Sequence, residues 1–245
     1  MEMVYTWLVL VSFAGGFLQA AIGFGYATIV MVFFPAFLPS MPVASTVCAV
    51  LSLLASAVML FRHRKAARPK HVLWPILIYF VVMPFAVAWS AGAPKLILSV
   101  IFGLFLVLLG LYYLFRADKI RIPATPAAGM AAGLLSGVFG GLFAVSAPPA
   151  ALYCLSTLDT KEEYIGTLQF FFFVTNTYAV GVRTFNGLVT SQVLLWSLAA
   201  SGGLLLGLWL GQAVLYKHAN LSRVKTWVFV FIACMGVWTV VSNFI

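Results

Sequence analysis

From Val4 to Leu38 the chain runs as one apolar segment without a charged residue. One crossing of a bilayer's hydrocarbon core needs roughly 20 residues. The segment is too long for one upright helix and short for two. Its middle, "GGFLQAAIGFGYATIVMVFFP", carries Gly23 and Gly25, with Gln19, Phe24, Tyr26 and Thr28 close by. Glycine is a poor helix former, so a break is expected at Gly23–Tyr26.

Seven further apolar segments follow, at about 42–61, 72–91, 95–115, 127–157, 162–182, 188–215 and 221–244. The 245 residues are 64% hydrophobic and 8% charged, against about 25% charged in a soluble domain. No soluble core absorbs that much apolar surface. The fold class expected is an all-α polytopic membrane protein, since long apolar runs without alternation exclude a barrel. The net charge of +9 reads as cytoplasmic loops rather than as a nucleic-acid surface. Cys48, Cys154 and Cys234 are scattered and read as small apolar residues. The opening "MEMVYTW" lacks a basic run, so no cleaved signal peptide is expected.

A self-comparison divides the chain into two related halves, 1–120 and 121–245, joined at the basic stretch "RADKIRIP" (116–123). Gly16 aligns with Gly133 and Gly23 with Gly140, and further on Thr46 aligns with Thr167 and Arg62 with Arg183. If all eight segments crossed once, "YKHANLSRVK" (216–225) would lie outside, against the positive-inside rule. If 4–38 and 127–157 instead turn back as broken hairpins, 62–71, 116–123 and 216–225 all fall inside. The expected architecture is therefore two inverted repeats, each a broken glycine-rich hairpin followed by three membrane helices.

The second hairpin reads "GLLSGVFGGLFAVSAPPA", with Gly140, Gly141, Ser146 and Pro148-Pro149. Tandem proline removes helix hydrogen bonds and is expected to make the break. Irregular backbone at membrane depth is tolerated only inside protein or beside a watery cavity. Broken helices also present free N–H groups and a positive dipole end to an anion. Gly129 and Gly133 form a small-xxx-small pattern and read as helix packing. Gln169 and Asn176 lie two helical turns apart on one face, where they serve as substrate ligands or as interhelical glue. Arg183 reads as a residue that snorkels to the interface, with guarding an anion vestibule as the alternative. His63, His71 and His218 sit in or beside basic loops and read as solvated.

The five acidic residues, Glu2, Asp118, Asp159, Glu162 and Glu163, lie at a terminus or in connectors. Cation pumps commonly place a carboxylate mid-helix, so cation transport is disfavoured. A coupled proton could then travel on the substrate itself. No zincin, nucleophile-elbow or Walker motif occurs, and no cofactor, metal or catalytic residue is expected. With no fixed buried cation evident, modest affinity for an anion is expected.

The paired hairpins, the basic loop "RHRKAARPKH" after the second segment and the duplicated length make the chain resemble the sulfite exporter TauE/SafE family. The resemblance implies secondary transport of small anions such as sulfite, organosulfonates or sulfoacetate across a bacterial cytoplasmic membrane. It carries the family's hairpin glycines over to Gly16, Gly23, Gly25, Gly133, Gly140 and Gly141, and its proline to Pro148. The expected partners are the small anion, protons as a candidate coupling ion, and the lipid bilayer. Oligomeric state is not legible. Rival readings are a permease or channel for another organic anion or neutral solute, and a non-transporting scaffold.

Overall fold

The computed structural model describes residues 2–115, 123, 125–218, 230, 232–239 and 241. Among these the structure is helical throughout, without a strand. The elements are α1 (Glu2–Ile22), α2 (Tyr26–Phe37), α3 (Met41–His63), α4 (Leu73–Gly92) and α5 (Lys95–Phe115), then α6 (Pro126–Phe143), α7 (Ala147–Thr157), α8 (Lys161–Phe185) and α9 (Ser191–His218). Residues 232–239 are also helical. Among the described residues, seven helices are long and apolar enough to cross a membrane, and α2 is a shorter apolar one. Most of the joint at 116–123, the basic stretch beyond His218 and much of segment 221–244 lie outside the described residues.

Both long segments do turn back. The 21 residues of α1 rise about 31 Å, a full membrane thickness. The chain then breaks at Gly23 (φ 90) and Gly25 (φ 112), a backbone region that only glycine enters without strain. Gly23 N donates to Gln19 O at 2.8 Å and closes α1. Twelve-residue α2 runs back along it, until Phe37 stacks on Trp7 with ring centroids 5.6 Å apart.

The second hairpin breaks at Ala144, after the glycines and before the prolines expected to break it. Helix α6 continues through Gly140 and Gly141 and ends on Ala144, which adopts a left-handed φ of 58. Ala144 N donates to Gly140 O at 3.0 Å and Val145 N to Phe139 O at 3.2 Å. Pro148 and Pro149 lie in the first turn of α7, where a missing N–H costs nothing. The prolines therefore start the returning helix and do not break the outgoing one.

Small residues let three helix pairs carry the bundle: α1 packs on α9, α4 on α6, and α3 on α8. On α6, a Cβ added at Gly133 would sit 2.5 Å from Pro75 O, and one at Gly141 2.5 Å from Ala86 Cβ. Gly129 and Gly133 face α4, in line with their packing role. A second stripe, missed in the sequence, occupies α9: Gly203, Gly207 and Gly211 press on the backbone of Val9, Phe13 and Phe17. Close backbone approach substitutes for the hydrophobic effect, which gives no drive between helices in lipid. Large apolar side chains such as Phe85, Leu108 and Trp209 point outward, as lipid-facing residues do.

The basic connector after α3 is anchored at one end of the bundle. Thr160 caps α8 by accepting from Glu163 N at 3.2 Å. Arg68 Nε donates to Glu163 Oε1 at 2.8 Å, and Arg68 N to Thr167 Oγ1 at 2.8 Å. Gln212 near the end of α9 reaches Met59 of α3 at that same end. The C-terminal ends of α3 and α9 and the N-terminus of α8 therefore share one face of the bundle.

Candidate functional site

Between the two breaks lies a cavity of about 20 Å³. The first hairpin contributes Gln19, Gly25 and Ala27, and the second Ala144, Ser146 and Ala147. Ser52 of α3 and Phe172 and Asn176 of α8 complete the lining. That volume holds about one water molecule and is too small for a sulfur oxyanion. In this conformation the space is too tight for such a solute.

The lining is mixed, with four polar side chains among apolar ones, and carries no charge. It offers two amides, Gln19 and Asn176, and two hydroxyls, Ser52 and Ser146. It also receives two helix N-termini that no side chain caps. Gly25 leaves the first N–H groups of α2 free, and Ser146 makes no capping bond at α7. The α2 end is the richer donor, because Pro148 and Pro149 contribute no N–H to the first turn of α7. Partial positive charge at such ends favours an anion.

Of the residues singled out in the sequence, Gln19, Gly25, Ser146 and Asn176 line this cavity. Gln169 is fully buried and serves the break itself: its Nε2 donates to Gly23 O at 2.6 Å, while its Oε1 has no partner. Gly23 lies against Tyr164 and Ile165. Phe24 is buried in the core. The hydroxyls of Tyr26 and Ser12 share a hydrogen bond of 3.1 Å, which turns Tyr26 back onto α1. Thr28 is buried with its hydroxyl unpartnered. Pro148 is buried at the start of α7. Gly140 and Gly141 are helical residues packed on α4: a Cβ at Gly140 would lie 2.8 Å from Tyr79 Cε2. Their N–H groups are spent inside the helix, so only their carbonyls reach a partner outside it.

The donor to those carbonyls is Arg183, and this corrects its reading. It does not snorkel; it is wholly buried. Its two terminal nitrogens donate to Gly141 O at 2.8 Å, Ser45 Oγ at 3.0 Å, and Gly140 O and Thr46 Oγ1 at 3.3 Å. The expectation that no buried cation exists is therefore wrong. Only its position near a helix end was visible in sequence, and snorkelling residues share that position.

Wider depressions flank the small cavity. At the end carrying the basic connector, one of about 480 Å³ is lined by Arg62, His63 and Gln212, and one of about 420 Å³ by Asp159, Lys161 and Tyr164. Ile165 borders both, and it also touches Gly23. The first break and Ile165 thus stand between these depressions and the cavity. At the opposite end a depression of about 310 Å³ is bounded by Tyr5, Pro39 and Gln192.

Seven long apolar helices among the described residues, two broken hairpins and a small uncharged cavity define a class: a multi-pass α-helical membrane protein with irregular backbone around a cavity. Within that class the chain belongs to the sulfite exporter TauE/SafE family, whose family model matches residues 8–239. No curated protein matches the chain significantly. No solved structure does so either. Membership makes the protein a membrane transporter for small sulfur-containing anions, and not an enzyme.

Proposed function

We propose that the protein is a secondary transporter of sulfite and small organosulfonates, sulfoacetate among them, in a bacterial cytoplasmic membrane. The anion binds near the midplane, between the tips of the two broken hairpins. The observation that carries this reading is the cavity itself: both breaks and α8 converge on it, and every polar lining group is neutral. The anion's oxygens are bound by the α2 N–H groups, Gln19, Ser52, Ser146 and Asn176. A coupled proton travels on the anion, because the described helices hold no carboxylate away from their ends to carry it.

Residues 1–120 and 121–245 form inverted repeats in this reading. Packing supports it, since α1 on α9 is matched by α6 on α4, and α3 on α9 by α8 on α4. Helix spacing supports it too. Helix α2 starts at 26 and α7 at 147, an offset of 121 (147 − 26), which is also that of Thr46 to Thr167. On that register Gly23 pairs with Ala144 rather than with Gly140. Alternating access then consists of one hairpin rocking against the other. The basic connector marks the cytoplasmic side.

The test is flux in proteoliposomes. Purified protein is expected to move labelled sulfite and sulfoacetate down their gradients, and to move sodium or potassium no faster than empty liposomes. Cation flux with no sulfur-anion flux would overturn the reading.

A further inference from the structure

We propose that Arg183 is the counter-charge that recognises the transported anion, and that the anion draws it away from the helix carbonyls it holds when the site is empty. This rests on the transport reading above.

An ion buried without a partner costs several kcal/mol, and intramembrane cations are normally paired. Arg183 is 0% exposed, yet its hydrogen-bond partners are two hydroxyls and two backbone carbonyls. Among the described residues it forms no ion pair, and the chain's acidic residues all lie at a terminus or in connectors and helix starts. Its Nε is buried and has no hydrogen-bond partner. The guanidinium thus keeps its full charge and a spare donor. A substrate anion is the species that would supply the missing negative charge.

Its position suits that task. Gly140, whose carbonyl it holds, lies against Ser146, with a virtual Cβ 3.2 Å from Ser146 Cβ. Ser146 lines the cavity, so Arg183 grips the back of the cavity wall. Asn176, also in the lining, is two turns earlier on α8, about 10 Å along the axis. A planar guanidinium fork matches two oxygens of a sulfonate or sulfite group. In the empty state the same fork ties α3, α6 and α8 together at the end opposite the basic connector. Release of those neutral bonds in favour of a charged one couples anion arrival to loosening of that end. This buried positive charge also disfavours cations and ammonium-bearing sulfonates.

The obvious rival is a purely structural cap on the C-terminal carbonyls of α6. KM separates the two. Arg183→Gln is expected to raise KM for sulfite about tenfold or more, the usual size for loss of a bond to a charged group. Arg183→Lys should fall between Gln and wild type, because it keeps the charge and loses the fork. A structural cap would lower the melting temperature and Vmax of both variants and leave KM within about twofold, which would overturn the proposal. If Arg183→Gln does not fold, Arg183→Lys decides alone: a KM raised about threefold supports the proposal and an unchanged one sinks it. Absent sulfite flux in the wild type is a separate failure, that of the substrate reading. In that event the same KM comparison runs on whichever anion is transported.

Discussion

Replacing Gln169 with leucine probes how the first break is held. The side chain is fully buried and its amide donates to Gly23 O at 2.6 Å. Gly23 cannot find another conformation, because its φ of 90 is fixed by the turn into α2. Leucine leaves that carbonyl buried and unbonded, at a cost of about 1–3 kcal/mol. It also removes the unpartnered Oε1 of Gln169, which returns part of that cost. The average interhelical hydrogen bond in a membrane protein is worth only about 0.6 kcal/mol, since the unfolded chain in lipid finds other partners. The Gly23 carbonyl should exceed this average, and a net loss of about 1 kcal/mol is expected. For a chain of this size that lowers the melting temperature by about 2–4 °C. Thermal unfolding in detergent, followed by intrinsic tryptophan fluorescence, gives the number, and proteoliposome flux gives the consequence. A loosened break should depress sulfite Vmax more than it changes KM. A variant that melts and transports like wild type would refute the assignment of Gln169 to the break.

Asn176→Leu puts an apolar group into the cavity lining without removing any bond that holds the bundle, so sulfite flux should drop about tenfold while the melting temperature holds. Gly207→Val drives a side chain into the Phe13 backbone, and a destabilisation of about 1–3 kcal/mol is expected in the same melt. Gly202→Ala is its control: nothing lies near that position, and helix propensity should stabilise it by up to about 1 kcal/mol. Glu163→Gln removes the ion pair to Arg68, whose side chain is 59% exposed, and should change stability by less than about 1 kcal/mol.

What the sequence made legible follows from local chemistry. The first break could be read because positive φ needs glycine, and Gly23 and Gly25 stand where it occurs. The second was placed a few residues off, because Ala144 takes a left-handed conformation without the glycine that advertises it. The nearby prolines carry a strong signal with two meanings, helix breaker and helix starter, and only the three-dimensional path selects one. Gln169 and Asn176 share a helix face as expected, yet one fastens the backbone and the other meets the cavity. The packing stripe on α9 went unread because "SGGLLLGLWLG" is unremarkable in an apolar segment, and spacing alone does not name its partner. Arg183 was the largest miss: burial of a charge by distant hydroxyls and carbonyls leaves no trace in its neighbours along the chain.

The central claim is that the anion passes between the two hairpin tips. On a background lacking Cys48, Cys154 and Cys234, Ala27→Cys and Ala147→Cys place one thiol on each tip, both in the cavity lining. A short bifunctional thiol reagent joins them. Sulfite flux in proteoliposomes should fall to the level of empty liposomes in the joined protein, and stay near that of the Cys-free parent when only one of the two cysteines is present. Undiminished flux through fully joined protein would contradict the account.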